Sequence, residues 1–182
     1  ECCRYCESLT SISIPDSVEY IGNSAFAGAK YLNDESNWKD GSLYIDNHLI
    51  KVSPSVSGKY EIKETVKSIA SGAFYGCDSI TSITMPNTIK RIGDSAFCDC
   101  ASLTSITLSD KITSIGSYAF SRCSSLESIK MPNALTSMGN HVFSDCYSLT
   151  SAVIPEGVTE IPYGAFRSCT GLTSVVIPDS AK

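Results

Sequence analysis

Residues 103–123 read LTSITLSDKITSIGSYAFSRC, and close copies of this stretch recur along most of the chain. The cysteine that ends each copy shows the spacing, since 100 − 77 = 23 and 123 − 100 = 23. The cysteines in this slot are Cys77, Cys100, Cys123, Cys146 and Cys169. A fixed period of this length is typical of a repeat protein in which each repeat forms one coil of a solenoid.

The spacing of apolar residues predicts the shape of one coil. Ile106 and Leu108 alternate with Ser and Thr, which indicates a half-buried β-strand. A second short extended piece, such as Thr113–Ile115, follows it. Ala119 and Phe120 then predict one turn of α- or 3₁₀-helix. We therefore expect each coil to contain a strand, a corner, a short strand and a helical turn.

A single coil of this kind is not stable alone. It offers roughly five large apolar side chains, each worth about 1.5 to 3 kcal/mol when buried. Ordering its backbone costs about 1 to 2 kcal/mol for every residue. Stacking of parallel coils must therefore supply the difference, and it places equivalent side chains in files. One predicted file consists of Phe74, Phe97, Phe120, Phe143 and Phe166.

The repeat pattern fails in an irregular insert at about residues 30–57. Within it, residues 40–52 contain two apolar runs that flank Asp46 and Asn47. Asp and Asn accept the backbone angles of a tight turn, so this stretch predicts a β-hairpin in place of a regular coil.

Two interpretations of the insert are open. In the first, it is a structural variant that bends or decorates the solenoid, as insertions in repeat proteins commonly do. In the second, Tyr31, Trp38 and Tyr44 form an exposed aromatic anchor for a partner, because aromatic side chains often dominate binding energy.

Six of the nine cysteines, Cys6 and the five named above, share one repeat slot. We expect them to form a buried file of reduced thiols, in which each S–H reaches a carbonyl of the neighbouring coil. Parallel side chains in one file do not adopt the dihedral angle of a disulfide. Cys98 lies outside the file, and we expect it to be exposed and the most reactive thiol. Cys3 and Cys6 form a C-x-x-C pair, a weak signal for metal binding because no second pair follows.

Composition argues against several functions. The net charge is −5 and the pI is about 5.0, which disfavours nucleic acid and anionic membranes as partners. No window approaches the roughly 18 to 20 apolar residues of a membrane span. The two histidines, His48 and His141, fit no catalytic triad, and no phosphate-binding or calcium-binding loop is present in the sequence. We therefore expect neither enzymatic activity nor a cofactor or metal.

The exposed positions of the long strands are the candidate partner surface. One outward file is Ser11, Ser82, Ser105, Ser128, Ser151 and Ser174, and the other is Ser13, Thr84, Thr107, Lys130, Val153 and Val176. These hydroxyls could simply suit a pleated surface and satisfy one another. Alternatively, departures from the repeat mark a binding site, and these are Glu127, Lys130, Val153 and Val176. A second candidate is a basic cluster of Lys63, Lys67, Lys90 and Arg91.

The repeat resembles the BspA-like leucine-rich repeats, whose units read L-T-S-I-x-I-P-x-S-V-x-x-I-G-x-x-A-F-x-x-C. Residues 103–123 match this unit nearly position for position, and the resemblance covers almost the whole chain. It implies a β-rich α/β solenoid, a right-handed leucine-rich-repeat coil with a parallel strand sheet and short helical turns. We expect about seven coils, including one irregular coil that bears the hairpin. Residues 1–182 would form a single domain, and because both ends fall inside a repeat, we expect a longer parent protein.

The resemblance also implies a function. Members of this family are secreted or displayed on the cell surface, and they are implicated in adhesion. The expected role is therefore a non-catalytic recognition module that binds protein or glycan on host or neighbouring cells. The alternatives are a passive spacer and an accessory repeat region of a larger secreted protein.

Overall fold

The structure is a computed structural model, and it describes residues 2–181. Helix within this range is confined to the insert, where α1 spans Lys30–Asn33 and a 3₁₀ segment spans Glu35–Asn37. The strands are β1 (Trp38–Lys39), β2 (Ser42–Ile45), β3 (His48–Val52), β4 (Gly58–Glu61), β5 (Ser68–Ile69), β6 (Ile80–Thr84), β7 (Arg91–Ile92), β8 (Ser105–Thr107), β9 (Ser114–Ile115), β10 (Ser137–Met138), β11 (Ser151–Val153) and β12 (Ser174–Val176).

The strands stack in parallel from coil to coil, which confirms the predicted solenoid. The long strands form one sheet in the order β4-β6-β8 and a second in the order β11-β12. In the first of these, Ile83 lies beside Ile106, its equivalent in the next repeat. The short strands β5, β7, β9 and β10 continue a separate seven-stranded sheet that begins with β1, β2 and β3.

The predicted file of phenylalanines runs through the main core. The ring centroids of neighbouring phenylalanines are 5.0, 5.2, 5.4 and 5.5 Å apart. Tyr60 meets the Phe74 end of this file edge-on at 5.1 Å. The inner members, such as Phe97 and Phe120, have no exposed surface. Equivalent residues of successive repeats are therefore neighbours in space.

The expected helical turn before each cysteine takes another form. Residues 94–99 form consecutive turns in which Ser95 and Asp99 have φ angles of 53° and 61°. Left-handed backbone at two positions within five residues is incompatible with a right-handed helix. The same pair of positive angles recurs in the next two coils, so the turn segment is a regular part of the repeat.

The long strand does not form in every repeat. Residues 9–14 and 126–131 carry the alternating pattern, but the structure assigns no strand to them. The apolar positions still point inward, since Ile14 and Ile129 are buried. Alternation therefore predicted the burial correctly, whereas the strand hydrogen bonding depends on how each neighbouring coil is placed.

The predicted hairpin is present in the insert. Strands β2 and β3 pair antiparallel, with Ile45 opposite His48 and Asp46 at a φ of 49° in the turn. A second antiparallel pair, β1 with β2, precedes it. Strand β3 then joins β5 in parallel, so the hairpin begins the short-strand sheet.

The first repeat packs in a core of its own. Ile14, Ile21 and the half-buried Phe26 cluster with Leu43 and Ile45 of the hairpin, apart from the main core that begins at β3. The hairpin thus has one face toward the first repeat and continues into the stack. Two hydrophobic clusters result, and the hairpin contributes side chains to both of them.

Candidate functional site

The exposed surface of β11 and β12 holds two of the predicted partner residues. Val153 and Val176 are directly paired across the two strands and are 61% and 53% exposed. Lys130 occupies the same slot one coil earlier and is also exposed. These three side chains therefore follow one another along the outer face, and together they form the C-terminal face.

Glu127 lies beside this face, in a ladder of threonines. The equivalent residues Thr104, Thr150 and Thr173 each donate a side-chain hydrogen bond to a carbonyl of the preceding coil, at 3.0 to 3.3 Å. Glu127 interrupts the ladder and is exposed, while its own carbonyl accepts from Thr150. An exposed carboxylate therefore lies in the threonine ladder, three residues before the exposed Lys130.

The three aromatic residues of the insert do not form one anchor. Tyr31 and Tyr44 line a cavity of about 400 Å³ together with Lys39 and Lys63. Trp38 lines a different, larger cleft and is partly buried, and its indole N–H donates to the Leu32 carbonyl at 2.9 Å. The three residues are close in sequence, but in the fold they line two different cavities.

Tyr44 is held in place by its neighbours. Its hydroxyl lies 3.0 Å from that of Tyr60, which in turn lies 2.7 Å from the Ser42 hydroxyl. The Lys63 ammonium covers the Tyr44 ring at 4.1 Å from the centroid. Burial and the Tyr60 hydroxyl raise the pKa of Tyr44 well above its usual value. This side chain stabilises the junction between insert and stack, and its ring face is already occupied.

The basic cluster is not a free cationic patch. Lys90 pairs with Glu19 at 2.8 Å, and the Arg91 guanidinium lies 5.3 Å from the centroid of the Tyr20 ring. Lys63 covers Tyr44, as described above. Three of the four cations in the cluster thus contact the first repeat or the insert, and these three serve packing within the chain.

An aromatic ladder, which sequence reasoning missed, lies on the turn side of the last coils. The His141 ring stacks on Tyr118 at 4.9 Å and meets Tyr163 edge-on at 5.2 Å. Tyr163 is 76% exposed. Tyr118 and His141 share one repeat slot, so a scan of the slots for aromatic side chains would have found this pair.

The buried cysteines form the predicted file of S–H donors. Cys100, Cys123, Cys146 and Cys169 each donate to the carbonyl of a phenylalanine in the preceding coil, at 3.0 to 3.2 Å. Burial raises the pKa of Cys146 to about 12. These thiols therefore stay protonated at neutral pH and act in packing.

Two expectations about single cysteines were wrong. Cys98 is only 7% exposed, and burial followed by the neighbouring Asp99 carboxylate raises its pKa to about 11. The next residue, Asp99, has the left-handed backbone conformation of the turn. Cys6 belongs to the buried file by its repeat slot, yet it is exposed. The described residues include no preceding coil that would cover its thiol and accept its hydrogen bond.

The exposed thiols cluster at the start of the described chain. Cys2 and Cys3 have their Sγ atoms 3.5 Å apart, and the thiols of Cys2 and Cys6 raise the pKa of Cys3. Within residues 2–181, no group of three or more metal-ligating side chains has the arrangement that would hold a metal ion. The same residues contain no helix long and apolar enough to cross a membrane.

The two histidines have separate structural surroundings. His48 is buried, with Nδ1 2.8 Å from the Ser68 hydroxyl and Nε2 3.1 Å from the Pro15 carbonyl oxygen. His141 belongs to the aromatic ladder. The structure therefore places the two imidazoles in different parts of the molecule.

The sequence model of a protein family, the BspA type leucine-rich repeat region, matches the chain in six copies, over residues 1–47 and 53–173. Together with the parallel coils described above, this match shows the class of protein. The chain belongs to the BspA-type leucine-rich repeat family.

Three solved structures show the likeness in detail. A leucine-rich repeat protein of T. pallidum is 35% identical, with a TM-score of 0.69, over 72% of this chain and 63% of that one. A Bacteroides ovatus leucine-rich repeat protein is 33% identical, with a TM-score of 0.67, over 80% of this chain and 39% of that one. A leucine-rich cell surface protein of Faecalibacterium prausnitzii is 29% identical, with a TM-score of 0.71, over 94% and 54%.

The chain thus spans between 39% and 63% of the lengths of these three proteins. No protein of curated function matches it.

Proposed function

We propose that this chain is a non-catalytic recognition module of a secreted or cell-surface protein. It binds a protein or glycan partner on host or neighbouring cells through the C-terminal face. Residues 1–182 form a single leucine-rich-repeat domain in this proposal. The F. prausnitzii relative, described as a cell surface protein, supports the location.

The observation that carries the proposal is the change of chemistry along one exposed file. Thr84 and Thr107 give way to Lys130, Val153 and Val176 in consecutive coils. Two adjacent exposed valines on a sheet present apolar area to water, which costs free energy. Binding of a partner that covers this area recovers that free energy. The neighbouring charges of Lys130 and Glu127 give such a surface a polar rim, as at protein interfaces.

The test restores the repeat on this face. A triple variant carries Lys130→Thr, Val153→Thr and Val176→Thr. It keeps strand propensity and restores the threonine that earlier coils have at this position. Surface plasmon resonance on arrays of extracellular matrix proteins and of glycans measures binding of both chains. We expect saturable binding by the parent chain to a specific target and at least tenfold weaker binding by the triple variant.

The matched control is Thr107→Ser, which lies on the same file in an earlier coil and should leave binding unchanged. Equal binding by the triple variant and the parent chain would refute the C-terminal face as the site. Absence of any specific target on either array would instead favour a passive spacer.

A further inference from the structure

Three backbone hydrogen bonds join the turn segments of consecutive coils. The N–H groups of Ser95, Phe97 and Asp99 donate to carbonyls of the next coil at 2.8 to 2.9 Å. The equivalent groups of the following coil, Tyr118, Phe120 and Arg122, do the same at 2.8 to 2.9 Å. The turn segments therefore form a continuous ladder along one side of the solenoid.

The first repeat has a turn segment of the same shape. Ser24 and Gly28 have φ angles of 59° and 79°, at the slots of Ser95 and Asp99. The carbonyls of Ala25 and Ala27 accept from the chain that precedes them, at 2.8 and 2.7 Å, as in the regular ladder. On its acceptor side, this segment is thus a normal part of the ladder.

The N–H groups of this turn segment, by contrast, do not continue the ladder. The N–H groups of Ser24, Phe26 and Gly28 donate to no acceptor in the part of the chain that the structure describes. In the same cleft, the carbonyls of Ser71 and Tyr75 accept from no donor within the described residues, although the equivalent carbonyls one coil later are paired. Unpaired backbone groups of this kind are strong hydrogen-bonding sites.

The insert is the cause of this interruption. Its hairpin replaces the turn segment of one coil, and only one rung survives, in which Val52 N–H donates to the Ala73 carbonyl at 2.7 Å. A cleft of about 650 Å³ remains, and Phe26, Trp38 and Tyr75 lie along its walls.

The first repeat is fastened over the cleft at one corner. Glu19 pairs with Lys90, and the Tyr20 hydroxyl donates to Asp94 at 2.8 Å. Ser71 N–H donates to the Ile21 carbonyl at 2.8 Å. These contacts join the first repeat to the stack beside the cleft, and such preorganisation favours binding of a short segment.

We propose that this cleft binds a peptide segment of a protein partner, which continues the ladder between the first repeat and the stack. Carbonyls of the peptide accept from Ser24, Phe26 and Gly28, and an apolar side chain packs against Phe26 and Trp38. Unpaired backbone donors and acceptors that line one cleft match a polypeptide backbone, the chemistry by which added strands are recognised. This inference rests on the proposed recognition function and names a partner class and a second surface for it.

The chain itself supplies a probe. Residues 116–122, GSYAFSR, contain the carbonyls that accept from Ser95, Phe97 and Asp99 in the regular ladder, and they contain no cysteine. The acetylated and amidated heptapeptide is titrated into the full chain, with fluorescence of Trp38, the single tryptophan, as the readout. Amide hydrogen exchange at residues 24, 26 and 28 is measured in parallel by NMR.

We expect a saturable change of Trp38 emission and at least tenfold slower exchange at the three amides. Ala27→Arg, which fills the cleft, should weaken binding at least tenfold, whereas Ala134→Arg on an exposed position of a later coil should not. A scrambled heptapeptide should bind at least tenfold more weakly.

Three results would overturn the proposal: no binding at millimolar peptide, equal binding of the scrambled peptide, or binding that leaves the three amides unprotected. Protection of these amides by a glycan and not by the peptide would also overturn it. All of these outcomes leave the C-terminal face to be judged by its own variants, so the two proposals fail independently.

Discussion

The rings of Phe97 and Phe120 lie 5.2 Å apart with their planes at 9°, although they belong to different repeats. Neither ring has exposed surface, so each is in contact on both faces with its neighbours in the file. The file extends from Phe74 to Phe166 and thereby couples the stability of one coil to that of the next, as in other solenoids.

Phe120→Ala should therefore lower the free energy of unfolding by about 3 to 5 kcal/mol, the usual cost of emptying a buried aromatic site. Urea denaturation followed by circular dichroism measures it. Phe26→Ala is the matched control, because Phe26 occupies the same repeat slot but is half-buried and lies outside the file. An equal loss in the two variants would contradict the view that stacking within the file is the source of the stability.

Gly116 marks a close approach of two coils. A Cβ atom at Gly116 would lie 2.6 Å from the Asp94 backbone nitrogen, a contact that neither coil can relieve without moving. Gly116→Ala should therefore destabilise the chain by about 1 to 3 kcal/mol through overpacking. Thermal unfolding should show a lower midpoint than that of the parent chain.

Gly22 is the matched control for this substitution, since it occupies the same slot in the first repeat. There a Cβ atom would meet only the Tyr20 ring, at an ordinary distance of 3.5 Å. Gly22→Ala should leave the midpoint nearly unchanged. If Gly22→Ala were as damaging as Gly116→Ala, backbone conformation and not coil spacing would be the cause.

The thiols should fall into two classes of reactivity. Cys2, Cys3 and Cys6 are accessible, whereas the other six of the nine are buried. We expect three fast reactions with Ellman's reagent at pH 8 in the native chain and nine in unfolded, unreduced chain. Cys98→Ser should not change the number of fast thiols, whereas four fast thiols in the parent chain that fall to three in this variant would show that Cys98 is accessible.

How much the sequence could predict depends on the range of the interactions. The file of Phe97 and Phe120 and the hairpin turn at Asp46 follow from the repeat period and from local turn chemistry, so both were predicted correctly. The turn around Ser95 differs from the predicted helix, because its left-handed backbone is carried by residues other than glycine. Alternation and spacing contain no signal for this conformation.

The packing of the first repeat on the stack could not be predicted from spacing. Glu19 contacts Lys90 and Tyr20 contacts Asp94, although these residues are more than seventy positions apart. Their meeting depends on the direction in which the insert turns the chain. The cleft beside the insert is a consequence of the same geometry, and the sequence showed only that the pattern stopped there. The candidate residues on the C-terminal face, by contrast, could be named because they depart from a repeat that the sequence defines.

Burial of the thiol file makes stability depend on pH in the alkaline range. The pKa of Cys123 is raised well above 9.0 by burial, then by the Cys100 and Cys146 thiols. Above pH 9 the unfolded chain has lost this proton while the folded chain retains it, so unfolding releases a proton and becomes easier as pH rises. The contribution is fully present below pH 9 and declines above it, by up to about 1.4 kcal/mol per pH unit for one thiol.

Cys123→Ala removes this titrating group and should make the decline between pH 9 and 11 less steep, whatever its effect on stability at pH 7, while the other buried thiols keep their share of the decline. Urea denaturation at a series of pH values gives the slope. Thr107→Ser changes an exposed residue, removes no thiol and should leave the slope as it is in the parent chain. A slope that Cys123→Ala leaves unchanged would mean that the Cys123 thiol ionises alike in the folded and unfolded states, in conflict with its place in the buried file.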